Sequence, residues 1–207
     1  MGLAGCAAQL DGAAPGTGVG GDAPTPTPSS TPFDPVITPS GGVPPGRVGT
    51  PAPSQRIRFV PTEVVLPGGA QAPVVPAGTV DGQLQVPSGA RRVGWWDGGA
   101  EAGDPFGSIV LAGHVDTKTE GLGFFARLRN AEPGEYVVLR GAGRTATYRI
   151  SSKASVPKDA LATRSGAFDQ TGAHRLVLIT CTGAYDRDNG GYADNLVVTA
   201  TAVGLAK

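Results

Sequence analysis

The chain has 207 residues but only two histidines and two cysteines, so few pairs could carry nucleophilic chemistry. Cys181 ends the apolar run Leu176-Val177-Leu178-Ile179 and is followed by the turn Thr182-Gly183. His114 has the matching placement, after Ile109-Val110-Leu111-Ala112-Gly113 and before Val115-Asp116. A thiol at the mouth of a central strand is held rigidly yet can be reached. An ordinary cysteine titrates near about 8.5, and a neighbouring imidazolium or guanidinium draws it toward neutrality. The thiolate then attacks an amide carbonyl, and the imidazole protonates the leaving amine. A cation or a backbone N–H steadies the tetrahedral oxygen. Taken alone, the pair fits equally a buried structural thiol and a hydrogen-bonded core histidine.

Two such groups, 67 positions apart in the sequence, meet only if their strands end on the same side of one fold. From Arg56 to Lys207 short apolar runs recur between Gly, Pro, Asn and Asp. The pattern predicts strands at Ile57–Val60, Gln83–Val86, Arg92–Trp95, Ser108–Gly113, Tyr136–Arg140, Thr145–Ser152, Arg175–Cys181 and Leu196–Ala202. The continuous runs 109–112 and 176–179 have the pattern of central strands, buried on both faces. Helical turns are expected only around Gly123–Leu128 and Lys158–Ala162. The fold class is therefore all-β: a closed or nearly closed barrel with one or two short helices.

Composition divides the chain. Gly (33) and Pro (19) make up about a quarter of it. Residues 1–54 contain 11 of the prolines, 11 of the glycines, four charged residues and one aromatic, Phe33. Runs such as Pro24-Thr25-Pro26-Thr27-Pro28 disfavour helix and sheet ladders. So little apolar surface cannot offset ordering entropy, and 1–54 reads as a disordered, partly polyproline-II tail ahead of a domain at 55–207. Leu3-Ala4-Gly5-Cys6 matches a lipobox, which makes Cys6 a candidate lipidation site, although no basic and apolar leader precedes it here. A disulfide between Cys6 and Cys181 would disable both roles. Acidic and basic residues balance at 17 each, which argues against a nucleic-acid partner. No apolar run is long enough to span a membrane, leaving a lipid anchor as the one expected membrane contact.

In full context the motifs are more specific. Gly94-Trp95-Trp96-Asp97-Gly98-Gly99-Ala100, Gly107 to Asp116, Phe124-Phe125-Ala126-Arg127-Leu128, Leu178 to Arg187 and Tyr192 to Val198 resemble, in order and spacing, the sortases. The resemblance is nearest to the class F type of actinobacteria and covers about residues 56–207. It implies an eight-stranded β-barrel and a cysteine transpeptidase. Such enzymes cleave a sorting signal of the Leu-Pro-X-Thr-Gly type between Thr and Gly. They pass the acyl group from a thioester to an amine acceptor, a peptidoglycan precursor or a pilin lysine. The resemblance makes Cys181 the nucleophile and His114 the general acid/base. It also implies an extracytoplasmic, membrane-tethered or cell-surface setting, a monomer and no cofactor.

The resemblance further implies an arginine after the cysteine, usually just before the next strand. Here Asn195 precedes that strand, and Arg187 is the only arginine between Cys181 and Leu196. Arg187 takes the role, with Asn195 as the alternative donor. Asp116 and Thr180 complete the substrate-binding or oxyanion candidates. Asp116 also suits a second role, bonding backbone N–H groups of its turn. Asp116 and Glu120 match no calcium-loop spacing, so no metal is assigned. Trp95 and Trp96 are expected to alternate, one in the core and one near a groove, and His174 to be exposed. Two other readings compete. One is a different cell-wall cysteine enzyme: a papain-like peptidase, whose Cys precedes its His, or an L,D-transpeptidase, whose motif is missing around Cys181. The other is a catalytically impaired barrel serving as a surface binding module.

Overall fold

A computed structural model describes residues 56–187 and 191–207. The expected tail over 1–54, Cys6 included, lies outside the described residues. Twelve strands follow in chain order: β1 (Glu63–Val65), β2 (Gln71–Ala77), β3 (Thr79–Val80), β4 (Gln83–Leu84), β5 (Val93–Trp96), β6 (Ser108–Gly113), β7 (Asp116–Thr117), β8 (Gly121–Leu122), β9 (Tyr136–Gly141), β10 (Arg144–Pro157), β11 (Arg175–Asp186) and β12 (Gly191–Ala202). Eight of them close a barrel in the order β1-β2-β5-β6-β11-β12-β10-β9, with β9 returning to β1. β3–β4 and β7–β8 are separate two-stranded ribbons. The eight-stranded barrel expected above is therefore present, although its membership differs from the predicted strands.

The differences have local causes. Residues 57–60 make only an isolated bridge, Phe59 with Ala102, and Gln83–Leu84 pairs with β3 outside the barrel. β1 and β2 take their places. β2 is hard to read because Pro73 and Pro76 interrupt it, and proline donates nothing to a ladder. The neighbouring Val74 N–H supplies the bond instead, reaching Thr62 O at 2.9 Å. Both prolines are exposed while Ala72, Val74 and Ala77 are buried, so the alternation of a half-buried strand survives.

Two cores lie on the two faces of the central strands. The barrel interior holds Ile109, Leu111, Leu176, Leu178, Val198 and Tyr148. The alternate residues Val110, Ala112, Val177, Ile179 and Val197 face outward. They are covered by Trp96, Phe168 and Leu161, the last from the short helix α1 (Leu161–Arg164). Trp95 and Trp96 alternate as expected, but both are buried: Trp95 joins the interior and Trp96 the outer layer, edge-on to Phe168 at 5.2 Å. Every residue of β6 is buried, as are residues 176–181 of β11. Each fully buried aliphatic side chain contributes about 1.5–3 kcal/mol, so whatever sits at the ends of these two strands rides on a rigid base.

Candidate active site

β6 and β11 run parallel, in register from Ser108↔Arg175 to Ala112↔Ile179. The next step is locked by a buried hydrogen bond, Thr180 Oγ1 donating to Gly113 O at 2.8 Å. Continued one step further, that register would set His114, the residue after β6, level with Cys181 on a neighbouring strand, at a strand spacing of about 4.8 Å. On the other flank β12 runs antiparallel and sets Asn195 directly opposite Cys181. Side-chain alternation puts Cys181 and Asn195 on the outer face with Val177, Ile179 and Val197. His114 reaches that face too: its Nε2 lies 3.0 Å from Pro87 O. Pro87 packs over Gly94, whose outward direction a Cβ would fill at 2.7 Å from the proline ring. His114 just past the end of β6, Cys181 within β11 and Asn195 within β12 thus lie on three neighbouring strands.

The Pro87 contact also sets the histidine's proton. A carbonyl only accepts, so Nε2 carries hydrogen and Nδ1 is left to exchange a proton with a thiol. His114 is half-buried, and Cys181 is 8% exposed and clusters with Val115, against which Val86, Ala126 and Tyr192 pack as a group. Attack on a carbonyl requires the Cys181 sulfur as a thiolate, the species that reduced protein supplies. Gly123 lies against the backbone of His114, since a Cβ there would fall 2.1 Å from His114 O. Asn195 is fully buried, and neither its Nδ2 nor its Oδ1 has a hydrogen-bond partner among the described residues. A buried amide left unpaired costs about 1–3 kcal/mol, which singles this residue out among the three.

The remaining candidates separate. Asp116 does not bond its own turn: Thr117 Oγ1 accepts from Glu120 N there, while Asp116 Oδ2 accepts from the Tyr192 hydroxyl at 2.5 Å. Arg187 is exposed, just beyond the end of β11. A bulge after Thr182 bends the hairpin, and pairing resumes at Tyr185↔Tyr192, so Arg187 stands at the hairpin tip, six positions past the thiol. The structure does not gather it with His114, Cys181 and Asn195. His174, expected to be exposed, is half-buried at the start of β11 and bonded to Tyr148 Oη at 2.9 Å. Burial lowers the His174 pKa and raises that of Tyr148. Sequence reasoning gave no role to Pro87, Gly123 or Tyr192. Tyr192 lay within a quoted motif, while nothing local marked the other two.

A closed barrel whose neighbouring parallel strands carry a cysteine and a histidine has the residue types that thiol-based acyl transfer uses. Comparison with known families narrows the class: a sortase domain model matches residues 67–203, and the chain belongs to the sortase family. Sortases are cysteine transpeptidases of the cell surface or membrane that act on sorting-signal proteins. Among solved structures the chain resembles a lid mutant of sortase A from Corynebacterium diphtheriae, at 22% identity, TM-score 0.52 and coverage of 74% of this chain and 75% of that one. Sortase C-1 from Actinomyces oris aligns at 22% identity and TM-score 0.53 over 69% and 71% of the two chains. Streptococcus agalactiae sortase C1, in complex with MTSET, aligns at 19% and 0.52 over 72% and 68%. No curated protein matches the chain by sequence. Among the described residues no helix is long and apolar enough to cross a membrane.

Proposed function

We propose that this chain, a sortase of the class F type, cleaves a Leu-Pro-X-Thr-Gly-like signal and transfers the acyl fragment to an amine at the cell wall. The acceptor is a peptidoglycan precursor or a pilin lysine. The observation that supports the reading is the register: β6 pairs with β11 up to Ala112↔Ile179, two residues short of His114 and Cys181, and β12 pairs Asn195 with Cys181. In the reduced enzyme His114 Nδ1 takes the thiol proton, and sulfur attacks the threonine carbonyl carbon. The carbonyl π electrons move to oxygen. As the tetrahedral centre collapses, the C–N bond breaks and His114 returns the proton to the leaving glycine amine. A thioester remains on Cys181. The acceptor amine attacks it, gives a proton to His114, and the sulfur leaves.

Asn195 Nδ2 is the donor we assign to the tetrahedral oxygen, with Arg187 the alternative and Thr180 holding the strand ends in register. What supports Asn195 is its unpaired amide opposite the thiol; the tip position of Arg187 suits contact with the substrate chain. We place Cys6 as a lipid anchor on a tether spanning 1–54, in an extracytoplasmic monomer. The test is mass spectrometry of products from the reduced protein with a library of Leu-Pro-X-Thr-Gly-like peptides and an added amine. Transfer products that disappear in Cys181→Ala support the proposal. Hydrolysis at unrelated sequences, or no turnover by folded protein, overturns it.

A further inference from the structure

We infer that Tyr192 is a positioning residue whose hydroxyl straps the turn after His114 to the hairpin that carries Cys181 and Asn195. The two parts of the site belong to different elements. His114 leads into the β7–β8 ribbon, while Cys181 and Asn195 sit on β11 and β12. The parts are joined by the β6–β11 ladder, whose pairing runs to Ala112↔Ile179, and by the Thr180–Gly113 bond. Beyond that point the Tyr192–Asp116 hydrogen bond spans the gap, at 2.5 Å. A donor facing an ionised carboxylate makes one of the stronger kinds of hydrogen bond.

The rest of Tyr192 is arranged for the same purpose. Its side chain packs against the small buried cluster of Val115 and Cys181, in which residues from both halves of the site meet. Tyr185, its partner across the hairpin, meets it edge-on at 5.2 Å and fixes the plane of its ring. Arg129, on the 3₁₀ turn Phe124–Asn130, is the cation facing the hydroxyl, and it lowers the tyrosine pKa against the larger upward effect of Asp116. Arg129 is itself tied to the barrel wall, where Lys153 Nζ donates to its carbonyl at 3.1 Å. Asp116 thus stabilises the histidine turn from the far side and leaves the His114 ring to Pro87.

This inference rests on Cys181 and His114 being the reacting pair. Tyr192→Phe keeps the ring and its packing and removes only the strap. The expected result is a fall of about fivefold to tenfold in kcat with KM within about twofold, the pattern of lost transition-state alignment. Asp116→Ala should match it, and the double variant should be no worse than either alone, because the two residues share one interaction. Asp116→Asn, still an acceptor, should recover part of the rate. If the wild type transfers no peptide, the pH dependence of Cys181 alkylation in reduced protein reads the strap independently. A loosened imidazole leaves the thiol less acidic, so alkylation near neutrality should slow in Tyr192→Phe. Additive losses in the double variant, or unchanged kcat and unchanged alkylation, overturn the inference.

Discussion

Replacing Gly123 by alanine should disable the enzyme through a residue that does no chemistry. Gly123 has an ordinary extended backbone, φ −77° and ψ 166°, so alanine brings no conformational strain of its own. Its Cβ, however, would stand 2.1 Å from His114 O and 2.7 Å from His114 C. Real Cβ atoms keep at least 3.0 Å, so the two backbones must part by roughly 0.9 Å. The Gly123 N–H to Val115 O bond of 2.8 Å resists that movement, so the shift is passed to His114 and its Pro87 contact. A displacement near 1 Å at a reacting group costs on the order of 100-fold, about 2.7 kcal/mol in the barrier. The assay is kcat/KM for peptide transfer, with a melting curve on the same sample. Gly141→Ala is the control. It meets Val60 O at 2.4 Å on β9, away from the site, and should lose stability while keeping activity per folded molecule. Gly123→Ala with kcat/KM within about twofold of wild type, or with a loss no larger than the control's, would refute the link between this contact and His114.

Three further outcomes follow from individual contacts. Asn195→Leu removes a buried amide that has no partner, so chemical denaturation should show equal or higher stability, while transfer activity should fall by about 10²–10³ if the amide serves the oxyanion. Thr180→Val removes the buried hydrogen bond that Gly113 O accepts from Thr180 and should lower stability by about 1 kcal/mol by denaturant titration. His174 has its pKa lowered from 6.5, burial being the largest cause. Its contribution to stability is therefore complete above 6.5 and falls as pH drops below it, because the unfolded chain takes up the proton first. Stability measured between about pH 7.5 and 5.5 should decline more steeply in the wild type than in His174→Phe.

The sequence made the central strands plain because they are unbroken. Ile109 to Ala112 and Leu176 to Ile179 are buried on both faces, so their apolar character shows without any periodicity having to be decoded. β1 and β2 were hidden because their stretch carries Pro61, Pro67, Pro73 and Pro76. A proline's missing donor matters only where the ladder needs it, and which positions need it is a tertiary fact. The extension of β11 to Asp186 and the start of β12 at Gly191 were hidden by Gly183 and by the polar residues of the hairpin. At the site, the types and spacing of His114 and Cys181 were enough to nominate them. Contacts made by backbone atoms, such as the Pro87 carbonyl on His114 or the glycine gap at 123, leave no mark in side-chain chemistry. His174 looked exposed beside Thr171-Gly172-Ala173, yet Tyr148, 26 positions earlier, bonds it.

The most direct measurement is the intact mass of the reduced protein after mixing with a Leu-Pro-X-Thr-Gly-like peptide and no amine. An adduct equal to the peptide up to its threonine is predicted on Cys181. It should disappear when an amine is added and be missing from Cys181→Ala. Folded, reduced protein that gains no mass, or gains it at a residue other than Cys181, would contradict the assignment of Cys181 as the acyl carrier.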